Sequence, residues 1–471
     1  MIITVANSIF NSDIRGHSSA IIWILLSVEI LLLALLALQF YKAILITVIV
    51  IFGVLLLYYF FNNPFILFLT FLLSILAGTV ELSSDVSISF VFITFIILTL
   101  FYLVKISDPS QKKSIDDHFT IKFLFGFFLI WSLFSVYIAI DKTLAIGYWR
   151  NYFAGFITFV YALKFVNTKK QIKIFLSVLI IWGVILSFIE LYILFSLGNV
   201  ATAMVKLFMS KNLLATSWGR SNYLASFHVF IIPIAFGYLM STKSNKVKFA
   251  VSLALILMAS TLILTLSRGG MLALLIGMTI FVVKALKPKL LIPLLFLVTI
   301  LSIILLLNPL TVVIFEGIST VESNASTHTR LNFYIDTWHA FLKHPITGVG
   351  LGNLGHYAVF KITNSTASAH NIVLGALGET GIIGAILYLS AIFYSFITSF
   401  NNYLREKIER VRILQWSFLC SFIAALAHSM IEPNFEGFQF AILFWGTLAV
   451  FLRFSKLKQD EKLNLLGASN Q

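Results

Sequence analysis

Long runs of apolar residues, separated by short polar connections, follow one another along this chain. A hydrocarbon core about 30 Å thick takes about 20 apolar residues per helical span, and backbone inside a bilayer has to satisfy its own hydrogen bonds. The pattern predicts an all-α polytopic membrane protein with about 12–14 transmembrane helices, organised as one integral membrane domain over residues 1–471. The candidate spans are 19–40, 43–61, 64–80, 88–106, 121–140, 144–166, 173–197, 222–241, 247–266, 270–286, 290–308, 372–400, 411–431 and 437–454.

Composition agrees with this pattern and changes how the net charge is interpreted. The chain is 59% hydrophobic and 11% charged, whereas soluble domains carry about 25% charged residues. A net charge of +14 would suggest a nucleic-acid ligand in a soluble protein. In a polytopic membrane protein it indicates Lys and Arg retained in cytoplasmic loops, so we expect membrane lipids and no nucleic acid as partners. One cysteine, Cys420, provides neither a disulfide nor a cysteine-based metal site.

The distribution of Lys and Arg over the connections predicts the orientation. Counted on alternate sides of the predicted spans, 23 of the 33 basic residues fall on one side and nine on the other, with Arg150 inside a span. The richer side is cytoplasmic by the positive-inside rule. Both termini are therefore predicted to be cytoplasmic, and the two large loops, 198–221 and 309–371, to be external.

Three arginines lie on the external side, against that bias. Arg220, Arg268 and Arg330 each stand near the edge of an apolar segment, and Arg268 is followed by Gly269 and Gly270. Guanidinium carries a rigid fork of donors that matches phosphate oxygens. Arginines that lie close together at the level of the lipid headgroups can bind a ligand with an anionic headgroup and an apolar tail, such as a lipid pyrophosphate. The alternative is that each one only extends towards the phosphates of ordinary lipids.

The large external loop contains a pattern of its own. Leu331, Ile335, Trp338 and Leu342 recur at helical spacing and predict a helix that lies on the bilayer surface. A neighbouring stripe of Arg330, Tyr334 and Thr337 would then face the site. His344 and Pro345 end this helix, and the glycine-rich "GVGLGN" (348–353) is predicted to be a turn that returns the chain to the membrane.

His370 lies at the end of this loop, immediately before an apolar segment. Imidazole has an ordinary pKa close to neutrality, which suits a general base for a hydroxyl. The alternative is a histidine that only hydrogen-bonds the start of the helix. Because three external arginines accompany it, we interpret His370 as the catalytic residue.

Other ionisable residues are weaker candidates. A charged residue inside the membrane is a candidate functional residue by default, but the intramembrane charged residues of this chain are far apart in the sequence. Glu379 is interpreted as a helix-packing residue, and His428 and Glu432 end a span on the external side, where they could line the same cavity. The external face has no His/Asp/Glu cluster with metal-ligand spacing, so we expect neither a metal nor another cofactor. The remaining intramembrane candidates are Glu29, Arg150 and Glu190.

Four segments of the chain carry a family resemblance. They are "GRSNYLASFHVFIIPIAF" (219–236), "LTLSRGGMLALLIG" (264–277), "TRLNFYIDTWHAFLKHPITGVGLGNLGHY" (329–357) and "SAHNIVLGALGETGIIGAILYL" (368–389). Taken together, they resemble the superfamily of O-antigen ligases and Wzy polymerases, which are bacterial membrane glycosyltransferases. The resemblance covers roughly residues 210–400, in the family's order and with its large external loop.

The resemblance implies a GT-C-like helical fold in the bacterial inner membrane, with the active site on the periplasmic side. It implies transfer of a glycan from undecaprenyl pyrophosphate to an acceptor hydroxyl, with inversion and without metal or nucleotide. Arg220, Arg268 and Arg330 would hold the donor pyrophosphate, and His370 would deprotonate the acceptor. Fixed guanidinium groups can neutralise the leaving pyrophosphate in place of a metal.

Three functions remain open within and beyond this resemblance. The favoured one is an O-antigen ligase that transfers the glycan to lipid A-core during lipopolysaccharide biosynthesis. The second is a polymerase that uses another lipid-linked repeat unit as its acceptor. The third, of a different class, is a transporter or flippase for the same lipid-linked sugars, although transporters gather their charges near the midplane rather than at one edge.

Overall fold

The computed structural model describes residues 53–60, 62–77, 79–83, 86–106, 118–216, 218–285, 322–357 and 368–468, and its elements are almost all helices. The helices are α1 (Gly53–Phe60), α2 (Pro64–Ala77), α3 (Phe90–Ile106), α4 (Phe119–Ile138), α5 (Lys142–Phe165), α6 (Lys169–Ser196), α7 (Val200–Met209), α8 (Ser221–Ser241), α9 (Asn245–Leu264), α10 (Arg268–Ala285), α11 (Glu322–Lys343), α12 (Ile372–Arg405), α13 (Glu409–Ser429) and α14 (Phe438–Ala468).

Short elements connect some of these helices. Two antiparallel hairpins are formed, one by β1 (Thr79–Ser83) with β2 (Val86–Ser89) and one by β3 (Ala215–Thr216) with β4 (Gly219–Arg220). Three 3₁₀ turns lie at Lys211–Leu213, Leu354–His356 and Asn434–Glu436. The predicted loop 198–221 therefore contains a helix and a hairpin. The first hairpin occupies the junction that was predicted to join the spans 64–80 and 88–106.

The structure confirms a polytopic all-α membrane protein. Seven of its described helices are long and apolar enough to cross a bilayer: α4, α6, α8, α9, α12, α13 and the Phe438–Ser455 part of α14. The predicted spans 19–40 and 290–308 lie outside the described residues. Contacts divide the chain into residues 1–67 and residues 68–471, and the single-domain organisation stays a prediction.

Within residues 68–471, three helix pairs make the most extensive contacts. Helix α5 lies along α14, α8 lies along α13, and α4 lies along α12. Helix α13 also contacts α10, and α11 contacts α12. This arrangement brings the starts of α8, α10 and α12 close to the turn that follows α13, and that turn carries the candidate site.

Helix α11 is the amphipathic helix that the sequence predicts within the large external loop. Leu331, Ile335 and Leu342 remain exposed on one face, as expected for a helix that lies on a lipid surface. Thr337, on the neighbouring stripe, is buried. The helix ends at Lys343, directly before His344 and Pro345 as predicted.

The glycine-rich turn 348–353 packs against a break in α12. Gly381 has φ +67° inside this helix, so the carbonyls before it are released from the helical ladder. The amides of Val349 and Gly350 donate to the carbonyls of Gly378 and Glu379, at 2.9 and 3.0 Å. A Cβ on Gly381 would lie 2.1 Å from the carbonyl oxygen of Ile346. Only glycine therefore permits this contact.

Candidate active site

The candidate site is centred on Glu432, in the turn between α13 and α14. Its side chain is 5% exposed. One carboxylate oxygen, Oε1, accepts hydrogen bonds from the guanidinium of Arg330 and from the side-chain amide of Asn222, the latter at 2.6 Å. Because Arg330 lies on α11 and Asn222 in the first turn of α8, this carboxylate joins three distant parts of the chain.

His370 faces the other oxygen of the same carboxylate. Its Nδ1 lies 3.5 Å from Glu432 Oε2, longer than the usual range for a hydrogen bond, and this buried nitrogen makes no hydrogen bond. The side chain as a whole is 28% exposed. The imidazole is therefore held against a carboxylate on one side and partly accessible on another.

The backbone and ring of His370 are fixed by their neighbours. Its φ of +49° is in the left-handed region, which non-glycine residues adopt rarely and which is concentrated at functional sites. The ring stacks on Phe333 with centroids 5.7 Å apart. Its carbonyl accepts from the Tyr334 hydroxyl at 3.4 Å, and its amide donates to Ser368 Oγ at 3.3 Å. These contacts hold the ring at the start of α12.

Asn371 ties this start to the turn after α13. Its Oδ1 accepts from the amides of Val373 and Leu374, at 2.9 and 3.0 Å, and so caps α12. Its Nδ2 donates to the carbonyl of Met430 at 3.1 Å. The Tyr334 hydroxyl donates to the same carbonyl at 3.0 Å, and burial raises the pKa of Tyr334. One carbonyl therefore positions both α11 and α12.

Arg268 is the first residue of α10 and is exposed. The next residue, Gly269, packs directly against the turn after α13: a Cβ there would lie 2.2 Å from Ile431 Cδ1 and 3.7 Å from His428 Cδ2. The absence of a side chain at Gly269 therefore lets the start of α10 approach this turn closely. Arg268 is thereby placed beside the residues that flank Glu432.

Arg220 is exposed and ends the hairpin β3–β4, immediately before α8. It stands two residues before Asn222, which donates to Glu432. Within residues 218–285 and 368–468, no hydrogen bond or ion pair joins the Arg220 side chain to the Glu432 carboxylate. The structure thus brings Arg220, Arg268, Arg330 and His370 to one end of the bundle, and their roles stay predictions.

His428 is fully buried beside this cluster. Its Nδ1 lies 2.9 Å from Asn434 Nδ2, and its buried Nε2 makes no hydrogen bond. The amide of Glu432 donates to the His428 carbonyl at 3.0 Å. This backbone contact shapes the turn that presents the carboxylate, so His428 lies next to the cluster without lining its accessible side.

A second carboxyl, Glu436, lines a 660 Å³ cavity that opens beside the turn. Glu436 is 7% exposed, its Oε2 has no hydrogen-bond partner, and burial raises its pKa to about 8. Asn151 Nδ2 donates to its carbonyl at 2.9 Å. Tyr223 and Arg150 also line this cavity. It offers hydroxyl, amide, carboxyl and guanidinium groups next to the His370 cluster.

The weaker sequence candidates have separate positions. Glu190 is buried deep in the bundle and pairs with His228 at 2.8 Å, while Arg150 lies over the ring of Phe438. Glu379 is buried at the break in α12. Glu29 lies outside the described residues. In the described part of the chain, no group of three His, Cys, Asp or Glu could hold a metal ion.

Sequence reasoning underestimated Glu432 and missed Asn222 and Glu436. Glu432 was only one of two residues that end a span. An asparagine two residues after Arg220 and a second acid four residues after Glu432 were available signals. Neither pattern identifies a partner, since Asn222 and Glu432 are 210 positions apart.

Comparison with known proteins agrees with the resemblance. The O-antigen ligase family model matches residues 253–389. The teichuronic acid biosynthesis protein TuaE of Bacillus subtilis (strain 168) is 29% identical over 113 residues, which are 23% of this chain and 23% of that protein. The chain therefore spans less than a quarter of this relative's length in the match. The family match includes Arg268, Arg330 and His370, but neither Arg220 nor Glu432.

Proposed function

We propose that this chain, whose central segment matches the O-antigen ligase family, is a membrane glycosyltransferase. It transfers a glycan from undecaprenyl pyrophosphate to an acceptor hydroxyl on the outer face of the bacterial inner membrane. The observation that carries the proposal is the junction at Glu432, where a guanidinium and a partly accessible imidazole meet one buried carboxylate. Two further arginines start or precede the helices that pack there.

The reaction needs one base and one stabilised leaving group. The acceptor oxygen attacks the anomeric carbon of the donor sugar, and the bond from that carbon to the pyrophosphate oxygen breaks with inversion. The acceptor proton passes to His370 through Nε2, since Nδ1 is buried against Glu432. A positioned base of this kind contributes about 10²- to 10⁴-fold to a rate.

Glu432 orients the base and stabilises it once it is protonated. As the imidazole gains a proton, its Nδ1–H faces Oε2 of a carboxylate that lies 3.5 Å away. A carboxylate beside a developing imidazolium lowers the energy of that charge. The other oxygen is held by Arg330 and Asn222, so Glu432 keeps its orientation during the step.

The arginines neutralise the leaving pyrophosphate. Arg268 and Arg220 are exposed at the helix starts, and Arg330 uses one amino group on Glu432 while guanidinium has five donors in all. Fixed donors aimed at the developing charge act without reorganisation. We therefore expect transfer to proceed in the presence of a chelator, without a metal ion or nucleotide.

The acceptor that we favour is lipid A-core, which makes the protein an O-antigen ligase. The second candidate is a polymerase that extends a lipid-linked repeat unit. The relative supports keeping it, because TuaE is named for teichuronic acid biosynthesis and not for lipopolysaccharide. Both functions use the same donor chemistry at His370 and differ in what supplies the hydroxyl.

A purified assay tests this proposal directly. The full-length protein is incubated with a sugar-labelled undecaprenyl-pyrophosphate glycan and either lipid A-core or unlabelled lipid-linked repeat units, with and without EDTA. We expect release of undecaprenyl pyrophosphate and transfer of the label to one acceptor. Labelled donor that crosses vesicles unchanged, with no release of the carrier, would indicate a flippase and contradict the proposal.

A further inference from the structure

A second pocket lies at the opposite ends of the helices that carry the candidate site. Helix α8 runs from Asn222, at the site, to Ser241, which lines this pocket; α13 runs from Arg410 in the pocket towards Glu432. Helix α8 has 21 residues, which correspond to about 30 Å of rise. The pocket is therefore about one hydrocarbon thickness from the site, on the side that the charge distribution predicts to be cytoplasmic.

Four cationic side chains line this pocket of 550 Å³. Lys169 and Lys173 come from the first turns of α6, Lys243 from the connection between α8 and α9, and Arg410 from the start of α13. All four side chains are exposed. No Asp or Glu stands among the residues that line it in the described part of the chain. The pocket opening is thus strongly positive.

The inner wall of the same pocket is apolar. Leu176 and Leu414 line it from α6 and α13, and Phe454 lines it from α14; all three are buried. A retained positive charge at the cytoplasmic side explains the cations individually. It does not explain their convergence, from three separate segments of the chain, over a recessed apolar wall between helices.

We propose that this pocket binds one anionic phospholipid, with the phosphate between Lys169, Lys173, Lys243 and Arg410 and an acyl chain along the apolar wall. Lysine and arginine bind phosphate oxygens through charge-assisted hydrogen bonds. Basic pockets between membrane helices on the cytoplasmic side have the chemistry that anionic headgroups require. Because α6, α8, α13 and α14 all line the pocket, such a lipid would link the helices that support the candidate site from its far side.

Lipid-dependent thermal unfolding tests this site independently of any transfer reaction. The full-length protein in a neutral detergent is titrated with phosphatidylglycerol or with phosphatidylcholine of the same acyl chains, and native mass spectrometry counts the retained lipids. We expect phosphatidylglycerol to raise Tm by several degrees and to leave one retained lipid, and phosphatidylcholine to do neither. A Tm rise of equal size with both lipids would overturn the proposal.

Paired variants separate this pocket from general surface charge. Lys173→Gln with Arg410→Gln removes two cations of the pocket, whereas Lys248→Gln with Arg412→Gln removes two from the same side outside it. We expect the first pair to lose the retained lipid and most of the Tm rise, and the second pair to keep both. Equal loss in both pairs would contradict a defined site. Glycerol 3-phosphate that stabilises as well as the lipid would contradict the lipid as its ligand.

Discussion

Two glutamate–histidine pairs in this molecule have opposite characters. Glu190 and His228 lie 2.8 Å apart inside regular helices, with both side chains fully buried. Glu432 and His370 lie 3.5 Å apart at the ends of helices, with the histidine 28% exposed and in a left-handed conformation. The inner pair is closed to solvent and its imidazole Nε2 is hydrogen-bonded to the carboxylate, while the outer pair is open on one side and its imidazole is not hydrogen-bonded to the carboxylate. In both pairs the histidine Nδ1 has no hydrogen-bond partner.

The difference shows how the same two residue types can have different tasks. In the inner pair, Thr261 adds its hydroxyl 3.5 Å from the same imidazole nitrogen and also lies 2.9 Å from Ser187 Oγ. This network satisfies Glu190 Oε1 and His228 Nε2 inside the bundle, while Glu190 Oε2 and His228 Nδ1 make no hydrogen bond. The outer pair has a cation on its carboxylate and a cavity beside it. We therefore propose that the first pair has a packing role and that the second pair takes part in the proposed transfer reaction.

The largest expected effect comes from replacing the two histidines. His370→Gln keeps a hydrogen-bonding side chain but removes a base that works at neutral pH, so we expect transfer to fall about a thousandfold. The matched variant, His228→Gln, should keep transfer within a few-fold and lower the stability of the folded protein by about 1–3 kcal/mol. Label transfer and thermal unfolding measure the two outcomes. Near-normal turnover of His370→Gln would reduce His370 to a structural role.

The second largest effect concerns the donor geometry of the arginine side chain at Arg268, near the outer pair. Arg268→Lys keeps the charge but loses the bidentate fork. Loss of one charge-assisted contact to the leaving group should reduce transfer by about a hundredfold, or about 3 kcal/mol of transition-state stabilisation. Arg412→Lys, at the other end of the bundle, should change nothing. An Arg268→Lys protein with wild-type kcat would mean that the pyrophosphate binds elsewhere.

A smaller effect on transfer is expected from replacing Glu432, the carboxylate of the outer pair, with the same change at Glu190 of the inner pair as the control. Glu432→Gln removes the charge that faces His370 while keeping the side-chain shape. The hydrogen bond that we propose to form between Glu432 and the protonated imidazole is one to a charged group, which is worth about 2 kcal/mol. We expect roughly a 30-fold loss in kcat with little change in the KM of the donor. Glu190→Gln should leave kcat unchanged and lower Tm. If both variants lose activity only in proportion to their loss of folded protein, the two pairs do not differ in function.

The smallest effect is a pH dependence of stability at Glu436. Burial raises the pKa of this carboxyl to about 8 in the folded protein, so the folded state keeps a proton that the unfolded chain releases near pH 4.5. Stability should therefore fall as pH rises between these two values, by at most about 1.4 kcal/mol per pH unit, and level off above pH 8. Glu436→Gln should flatten this part of the profile in thermal unfolding. An unchanged slope would show that Glu436 is ionised throughout.

Much of this protein could be predicted from the sequence because the information is local. Apolar runs predict helices that cross a bilayer, and seven such helices are present in the described residues. The spacing of Leu331, Ile335 and Leu342 predicts α11 and its exposed face, and its end before Pro345 follows from the missing amide and fixed backbone of proline. Four candidate site residues were selected by charge against the topology and by the family resemblance. The family match agrees with the resemblance, and the roles of these residues stay predictions.

What the sequence by itself could not determine is which polar residues meet. Glu432 and Glu190 are both acids near or within apolar spans, and nothing in their flanking residues indicates that one is closed in the core and the other faces Arg330 and His370. Their partners depend on how α8, α11, α12 and α13 pack and on the turn after α13. Helix periodicity determines which face of a helix is apolar, whereas contacts between residues 210 positions apart depend on the close packing of the whole bundle.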